Sequence, residues 1–136
     1  MKISKKTQYG IRAMVYLAKF SKKKKLCCLK KISQDEGIPF SFLEKIIIQL
    51  VKEGLVNAQK GPGGGYCLAK KPQNIRVGNI VRILEGVTAP VKCLDKEVKF
   101  VCPREKNCLA KKLWLKVKKS LDSTLNLITL ADLINP

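Results

Sequence analysis

The sequence predicts a mainly α fold with a small β-hairpin wing, arranged as a winged helix-turn-helix domain plus a long C-terminal dimerisation helix. Three observations carry this. Apolar residues recur at helical spacing in successive segments. Two of those segments are short and meet at a tight turn built on Gly37 and Pro39. Directly after them, the stretch KGPGGGYCL at 60–68 sets four glycines and a proline between two short apolar runs, the pattern of a hairpin connection.

The first helix is expected over 7–20, with Tyr9, Ala13, Leu17 and Phe20 on its buried face. The lysine run at 21–25 reads as a solvated loop. Residues 29–37 form a short helix stopped by Gly37. In 38–54, Pro39 precedes a helix whose apolar stripe is Leu43, Ile46, Ile47, Leu50 and Val51, while Lys45, Gln49 and Lys52 lie off it. Ser41 and Glu44 have the S-x-x-E spacing of a capping box. Strands follow at 55–60 and 66–70, closed by Pro72. Residues 76–86 make an amphipathic helix with Val77, Ile80, Val81 and Leu84 inward. After an irregular stretch comes a long helix at 108–128 with the stripe Leu113, Val117, Leu121, Leu125 and Ile128. Nothing in its own chain offers itself to that seam, which is expected to meet a partner subunit. The chain ends in one short turn. The expected division is a winged helix-turn-helix domain at 1–86, a cysteine-containing loop at 87–107, and the dimerisation helix with its C-terminal turn at 108–136.

The glycine loop does not read as a phosphate cradle. A nucleotide P-loop needs G-x-x-x-x-G-K-[ST] opening a helix, but Gly65 is followed by Tyr66 and a strand-like run. A dinucleotide fingerprint starting at Gly61 needs glycine where Tyr66 stands. A hairpin placed after a helix-turn-helix is a wing, and its glycines let the backbone approach phosphates and sugars closely. Lys60 supplies charge at its base and Pro62 stiffens its tip.

Composition points the same way. The 136 residues carry 28 Lys plus Arg against 10 Asp plus Glu, a net charge of +18. Residues 1–70 hold 15 basic and 4 acidic side chains and residues 71–136 hold 13 and 6, so the charge is not confined to one tail. A polyanion partner follows: DNA, RNA or an anionic membrane. There is no apolar run of about 18 residues for a spanning helix and no secretory signal, so the expected location is cytoplasmic. Histidine is absent, there is no convincing carboxylate pair and no phosphate loop, so an enzyme with a small-molecule substrate is not expected. The six cysteines, Cys27, Cys28, Cys67, Cys93, Cys102 and Cys108, are expected as reduced thiols.

The segments KISKKTQYGIRAMVYLA, FLEKIIIQLVKEGLVNAQKGPGGGYCLAKKP, VGNIVRILEG, CLAKKLW and ITLADL occur in this order. Together they resemble the Rrf-two family of bacterial winged-helix transcriptional regulators, of the IscR, NsrR and CymR type, over nearly the whole chain. The resemblance implies a homodimer with crossed C-terminal helices, acting on a double-stranded DNA operator of roughly two-fold symmetry. Ser41, Glu44 and Lys45 fall where members contact the major groove, and Gln49 lies on the same helix. Lys60, Gly61, Pro62 and Gly63 fall on the wing tip. Glu44 has two roles open to it, the capping box and acceptance of a hydrogen bond from cytosine N4.

Cys93 and Cys102 are separated by eight residues, Cys102 and Cys108 by five. Thiolates are the usual ligands of iron–sulfur clusters, and Cys108 lies at the expected N-terminus of the long helix, where the dipole favours a thiolate. The set resembles the cluster-binding branch of the family, which implies a 2Fe–2S or 4Fe–4S iron–sulfur cluster sensing iron–sulfur status, redox state or nitric oxide. The fourth ligand departs from the pattern. Some members use a histidine three residues after the last cysteine, here Lys111; others use an N-terminal aspartate, here Gln8. Asp95, Glu97, Glu105, another thiol or an exogenous ligand are the substitutes available. Cys27, Cys28 and Cys67 read as small apolar fillers. The rival readings are a cluster-free regulator responding to thiol oxidation or a protein partner, and a nonspecific nucleic-acid-binding protein.

Overall fold

The computed structural model describes residues 2–135. Six α-helices and one hairpin follow in order: α1 (Lys5–Ser21), α2 (Leu29–Glu36), α3 (Phe40–Lys52), β1 (Val56–Gln59), β2 (Gly65–Leu68), α4 (Val77–Glu85), α5 (Ala110–Leu127) and α6 (Leu130–Ile134). One apolar core joins α1 to α4 with α6. Met14, Leu17, Ile32, Leu43, Ile46, Ile47, Ile80 and Leu130 are all buried in it.

Helix α1 begins where Ser4 caps it, its hydroxyl accepting from the Thr7 amide. Its buried face is rolled from the one the large side chains imply. Ala13 and Leu17 are inside, but Tyr9 and Phe20 are only half-buried, while Gly10, Met14 and Ala18 take the interior. Gly10 explains the roll. A Cβ there would meet Leu84 Cδ1 at 2.1 Å and Ile46 Cγ2 at 3.4 Å, so α1 lies close against α3 and α4 at the one residue without a side chain. Tyr16 and Arg12 tie α1 to α2: the Tyr16 hydroxyl donates to Asp35 at 2.6 Å, and Arg12 donates to the Glu36 carbonyl.

Strands β1 and β2 pair antiparallel from Val56–Leu68 to Gln59–Gly65. The hairpin is anchored at its side by a reciprocal backbone pair, Cys27 N–H to Tyr66 O and Tyr66 N–H to Cys27 O, both 2.8 Å. The wing is thereby fastened to the connection between α1 and α2.

The C-terminal elements differ from expectation. Helix α5 does find a surface in its own chain: its second half lies along α4, where a Cβ on Gly78 would meet the Leu125 backbone and the Asn126 side chain. Arg76 donates to the Asn126 carbonyl at 2.6 Å and Thr88 to Asp122 at 2.6 Å, closing the same contact. The final turn is a short helix with a capping box of its own, Asp132 N–H to Thr129 Oγ1 and Thr129 N–H to Asp132 Oδ2. It brings the fully buried Leu130 back into the apolar core, held by Leu130 N–H to Ile75 O at 3.0 Å and Val77 N–H to Ile128 O at 2.8 Å.

Candidate nucleic-acid interface and cysteine loop

Helix α3 is divided cleanly between core and solvent. Leu43, Ile46, Ile47 and Leu50 are fully buried, and the turn before the helix is pinned by buried Ile38, whose carbonyl accepts from Ser33 Oγ at 2.5 Å. On the opposite side Ser41, Glu44, Lys45, Ile48 and Lys52 are exposed. Ser41, Lys45, Ile48 and Lys52 are three or four residues apart and share one face. The packing that buries the aliphatic stripe is what turns this polar stripe outward.

The capping box expected of Ser41 and Glu44 does not form. The helix starts at Phe40, with Pro39 in the cap position and no side-chain cap, so Ser41 is already inside the first turn, past the position from which its hydroxyl would cap. Glu44 is thereby left exposed on the outer face, and the first-turn N–H groups have no side-chain partner. Gln49 has a different partner from the one expected of an outward residue: its amide donates to the Ile83 carbonyl at 2.7 Å, bracing α3 on α4.

Beside the start of α3 a cleft of about 320 Å³ is lined by Lys6, Ser41, Phe42, Lys45, Ile46 and Gln49. Phe42 forms its side by packing edge-on against Tyr9, ring centroids 5.5 Å apart. Lys6 and Lys45 bring two ammonium groups to this cleft. Sequence periodicity did not single out Lys6, because it lies a helix away from the recognition segment. Nor did it single out Ile48, which is 60% exposed. The available signal was an isoleucine off the apolar stripe and in line with Ser41 and Lys45.

At the wing tip Lys60, Gly61, Pro62 and Gly63 are all exposed. Gly61 and Gly63 take φ of 97° and 75°, the left-handed region that favours glycine. The next two glycines are required by close approach: a Cβ on Gly64 would lie 2.2 Å from the Gln59 carbonyl oxygen, and one on Gly65 2.7 Å from that of Cys27.

The cysteine loop is built differently. Between α4 and α5 the backbone forms only two single 3₁₀ turns, Lys92–Leu94 and Glu105–Asn107. Leu94 is buried, while Cys93, Cys102 and Cys108 are each half-buried. Their donor chemistry suits an iron–sulfur cluster; among the described residues no three Cys, Asp or Glu side chains form a preassembled metal-holding group in the chain alone. Lys111, at the position of the family histidine, pairs with Glu105 at 3.2 Å, so one substitute ligand is engaged with the residue that displaced the usual one. Of the other thiols, Cys27 is buried, which pushes its pKa up, and Cys67 is half-buried. Cys28 is exposed at the cap of α2 and is not a core filler.

The expected dimer seam is graded. Leu113 is 53% exposed, Val117, Leu121 and Leu125 are half-buried, and Ile128 lies just beyond the helix end. Nothing in α5 is fully buried, and Leu109 and Leu127 are 81% and 74% exposed.

The family model for Rrf2, described as an iron-dependent transcriptional regulator, matches residues 3–136. The chain belongs to the Rrf2 family. It is 37% identical over 134 residues to protein rrf2 of Nitratidesulfovibrio vulgaris, covering 98% of this chain and 87% of that one. Among solved structures it is similar to IscR of T. potens, at 36% identity and a TM-score of 0.78, covering 99% of this chain and 87% of that one. It is similar also to CymR, the global cysteine regulator of B. subtilis, at 33% identity and a TM-score of 0.82, covering 99% and 97%. The winged-helix fold read from the sequence is therefore the Rrf2 fold, and this Rrf2 member is a transcriptional regulator, not an enzyme. None of its described helices is long and apolar enough to cross a membrane.

Proposed function

We propose that this Rrf2 protein binds a double-stranded DNA operator as a homodimer in the cytoplasm. The observation that carries the reading is the outward stripe of α3, Ser41, Lys45, Ile48 and Lys52 with Glu44 beside it, set next to an uncapped helix start and followed by an open wing tip. A helix with this face enters the major groove, where Lys45 pairs with guanine or phosphate and Ile48 meets a thymine methyl. Glu44 accepts from cytosine N4 there, and Lys6 and the wing's Lys60 hold phosphates on either side. Gln49 acts through α3 as a positioning residue. The exposed leucines of α5 support pairing of two copies, which sets two recognition helices on two half-sites.

The test is selection of bound sequences from a random duplex pool, followed by affinity measurements at several salt concentrations. A palindromic consensus bound by two chains is the expected result. Equal affinity for all duplexes at fixed salt supports the nonspecific nucleic-acid-binding reading instead.

Cys93, Cys102 and Cys108 are proposed as the sensing element, taking up an iron–sulfur cluster. Three thiols between the DNA-binding domain and α5, in a chain whose family is described as iron-dependent, support this. With the thiols apart in the chain alone, uptake requires residues 92–108 to draw together, and release of Lys111 from Glu105 frees a carboxylate for the fourth position. Anaerobic purification with iron and sulfide assays tests it: bound iron and sulfide, with visible absorption lost in Cys102→Ala, is expected. A colourless protein after attempted reconstitution sinks the cluster and leaves thiol oxidation as the signal.

A further inference from the structure

A cavity of about 630 Å³ lies away from both the recognition face and the cysteine loop. It opens at the foot of the wing, between the lysine loop after α1, the end of β2 and helix α6. Its rim carries Lys22, Lys24, Lys25, Lys70 and Lys71, all exposed, and none of the described lining residues is a carboxylate. Its apolar lining is Leu26, Leu68, Ala69 and Ile134, and the half-buried Cys67 is among the lining residues. No ion pair engages any of the five rim lysines among the described residues.

We propose that this cavity is a binding site for a small amphiphilic anion, an acyl or similar apolar body ending in a carboxylate or phosphate. The volume is that of a small-molecule site. The aliphatic interior rewards an apolar body in proportion to the area it covers, and neither water nor a fully charged polymer makes use of that interior. The lysine rim, with no ion-pair partner and no lining carboxylate among the described residues, supplies the complementary charge for one anionic head. The DNA-contacting residues proposed above, Ser41 to Lys52 on α3 and Lys60 to Gly63 at the wing tip, are not part of the lining.

Cys67 makes the site readable in the wild-type chain. Its alkylation by iodoacetamide is followed by peptide mass mapping, with exposed Cys28, which is outside the lining, as the internal control. Decanoate and decyl phosphate serve as the anionic probes and decanol as the neutral one. At ten times its dissociation constant a probe is expected to slow Cys67 alkylation about tenfold, with Cys28 unchanged. Decanol at the same concentration gives much weaker protection. Whichever head group protects at lower concentration identifies the natural class. The double variant Lys70→Gln, Lys71→Gln, at two exposed positions, is expected to lose the protection, read as the ratio of its Cys67 alkylation rates without and with the probe so that any change in thiol reactivity cancels.

Equal slowing of Cys67 and Cys28 means a detergent-like coating of a basic surface and overturns the site. So does a lack of protection by either anion. Protection of Cys67 by a random DNA duplex without protection by the amphiphiles assigns these lysines to a nucleic-acid track and also overturns it.

Discussion

Thr7 and Glu85 meet across 78 residues of chain: the buried Thr7 hydroxyl donates to Glu85 Oε2 at 2.5 Å. The same oxygen accepts from the Ser4 amide and hydroxyl, at 3.2 and 2.7 Å. One carboxylate thus holds the first turn of α1 against the last turn of α4.

This contact is pH-sensitive. Burial alone raises the Glu85 pKa, but the hydrogen bonds from Thr7 and Ser4 outweigh it and hold the carboxyl below its ordinary range. A depressed pKa in the folded state adds stability that is complete above the unfolded value, about 4.3, and is lost as pH falls towards the folded value. Asp35, lowered by the hydrogen bonds from Tyr16 and Lys31, acts in the same direction. So does Asp122, where donors on Lys118 and Thr88 outweigh the opposing burial. Denaturant unfolding is expected to show stability falling below about pH 4.3, with a shallower acid limb in Glu85→Gln. Thr7→Val should cost about 1 kcal/mol at neutral pH, because it removes one of three hydrogen bonds to the half-buried Glu85 carboxylate.

Lys45→Ala should weaken binding to all duplexes and reduce the slope of log affinity against log salt by about one unit if its contact is to phosphate. Ile48→Ser should leave that slope unchanged and change the selected sequence. Replacing thymine by uracil at the contacted step removes only a methyl, so it should weaken wild-type binding by about fourfold and leave the serine variant unaffected. Loss of the salt response in Ile48→Ser, or equal response of both proteins to uracil, contradicts the assigned contacts.

Gly65→Ala places a Cβ 2.7 Å from the Cys27 carbonyl oxygen. Since both atoms belong to rigid backbone, the wing must shift and the reciprocal Cys27–Tyr66 bonds must lengthen. An overpacking cost of about 1–3 kcal/mol is expected, with faster hydrogen exchange at the Cys27 and Tyr66 amides. Unchanged exchange at those two amides would show that the wing is not anchored there.

Leu113→Asp and Leu109→Asp place charge on the exposed end of the α5 seam. Sedimentation should show dimers becoming monomers with little change in monomer unfolding, because neither side chain belongs to the described core. Sedimentation unchanged by both variants would move the pairing surface elsewhere.

Much of the recognition helix and wing was legible in the residues themselves. The inward set Leu43, Ile46, Ile47 and Leu50 follows from a 3.6-residue period within thirteen residues, and the outward face of Lys45 follows with it. The four glycines of the wing announced a turn because their constraint is local: Gly61 and Gly63 require unusual φ, and Gly64 faces backbone a few residues away. Sequence by itself determined those elements because period and turn chemistry act over one or two turns of chain.

The tertiary structure alone decided what depends on residues far apart. Gly10 became the crossing point of α1 because Leu84 and Ile46 arrive there. Gln49 turned to the Ile83 carbonyl, and the last turn folded back to bury Leu130. Spacing placed Cys93, Cys102 and Cys108 on one segment, but an irregular backbone with two single 3₁₀ turns does not bring them together. Side-chain period fixes direction only along a regular element, and in loops and at helix crossings position is set by the whole packed core.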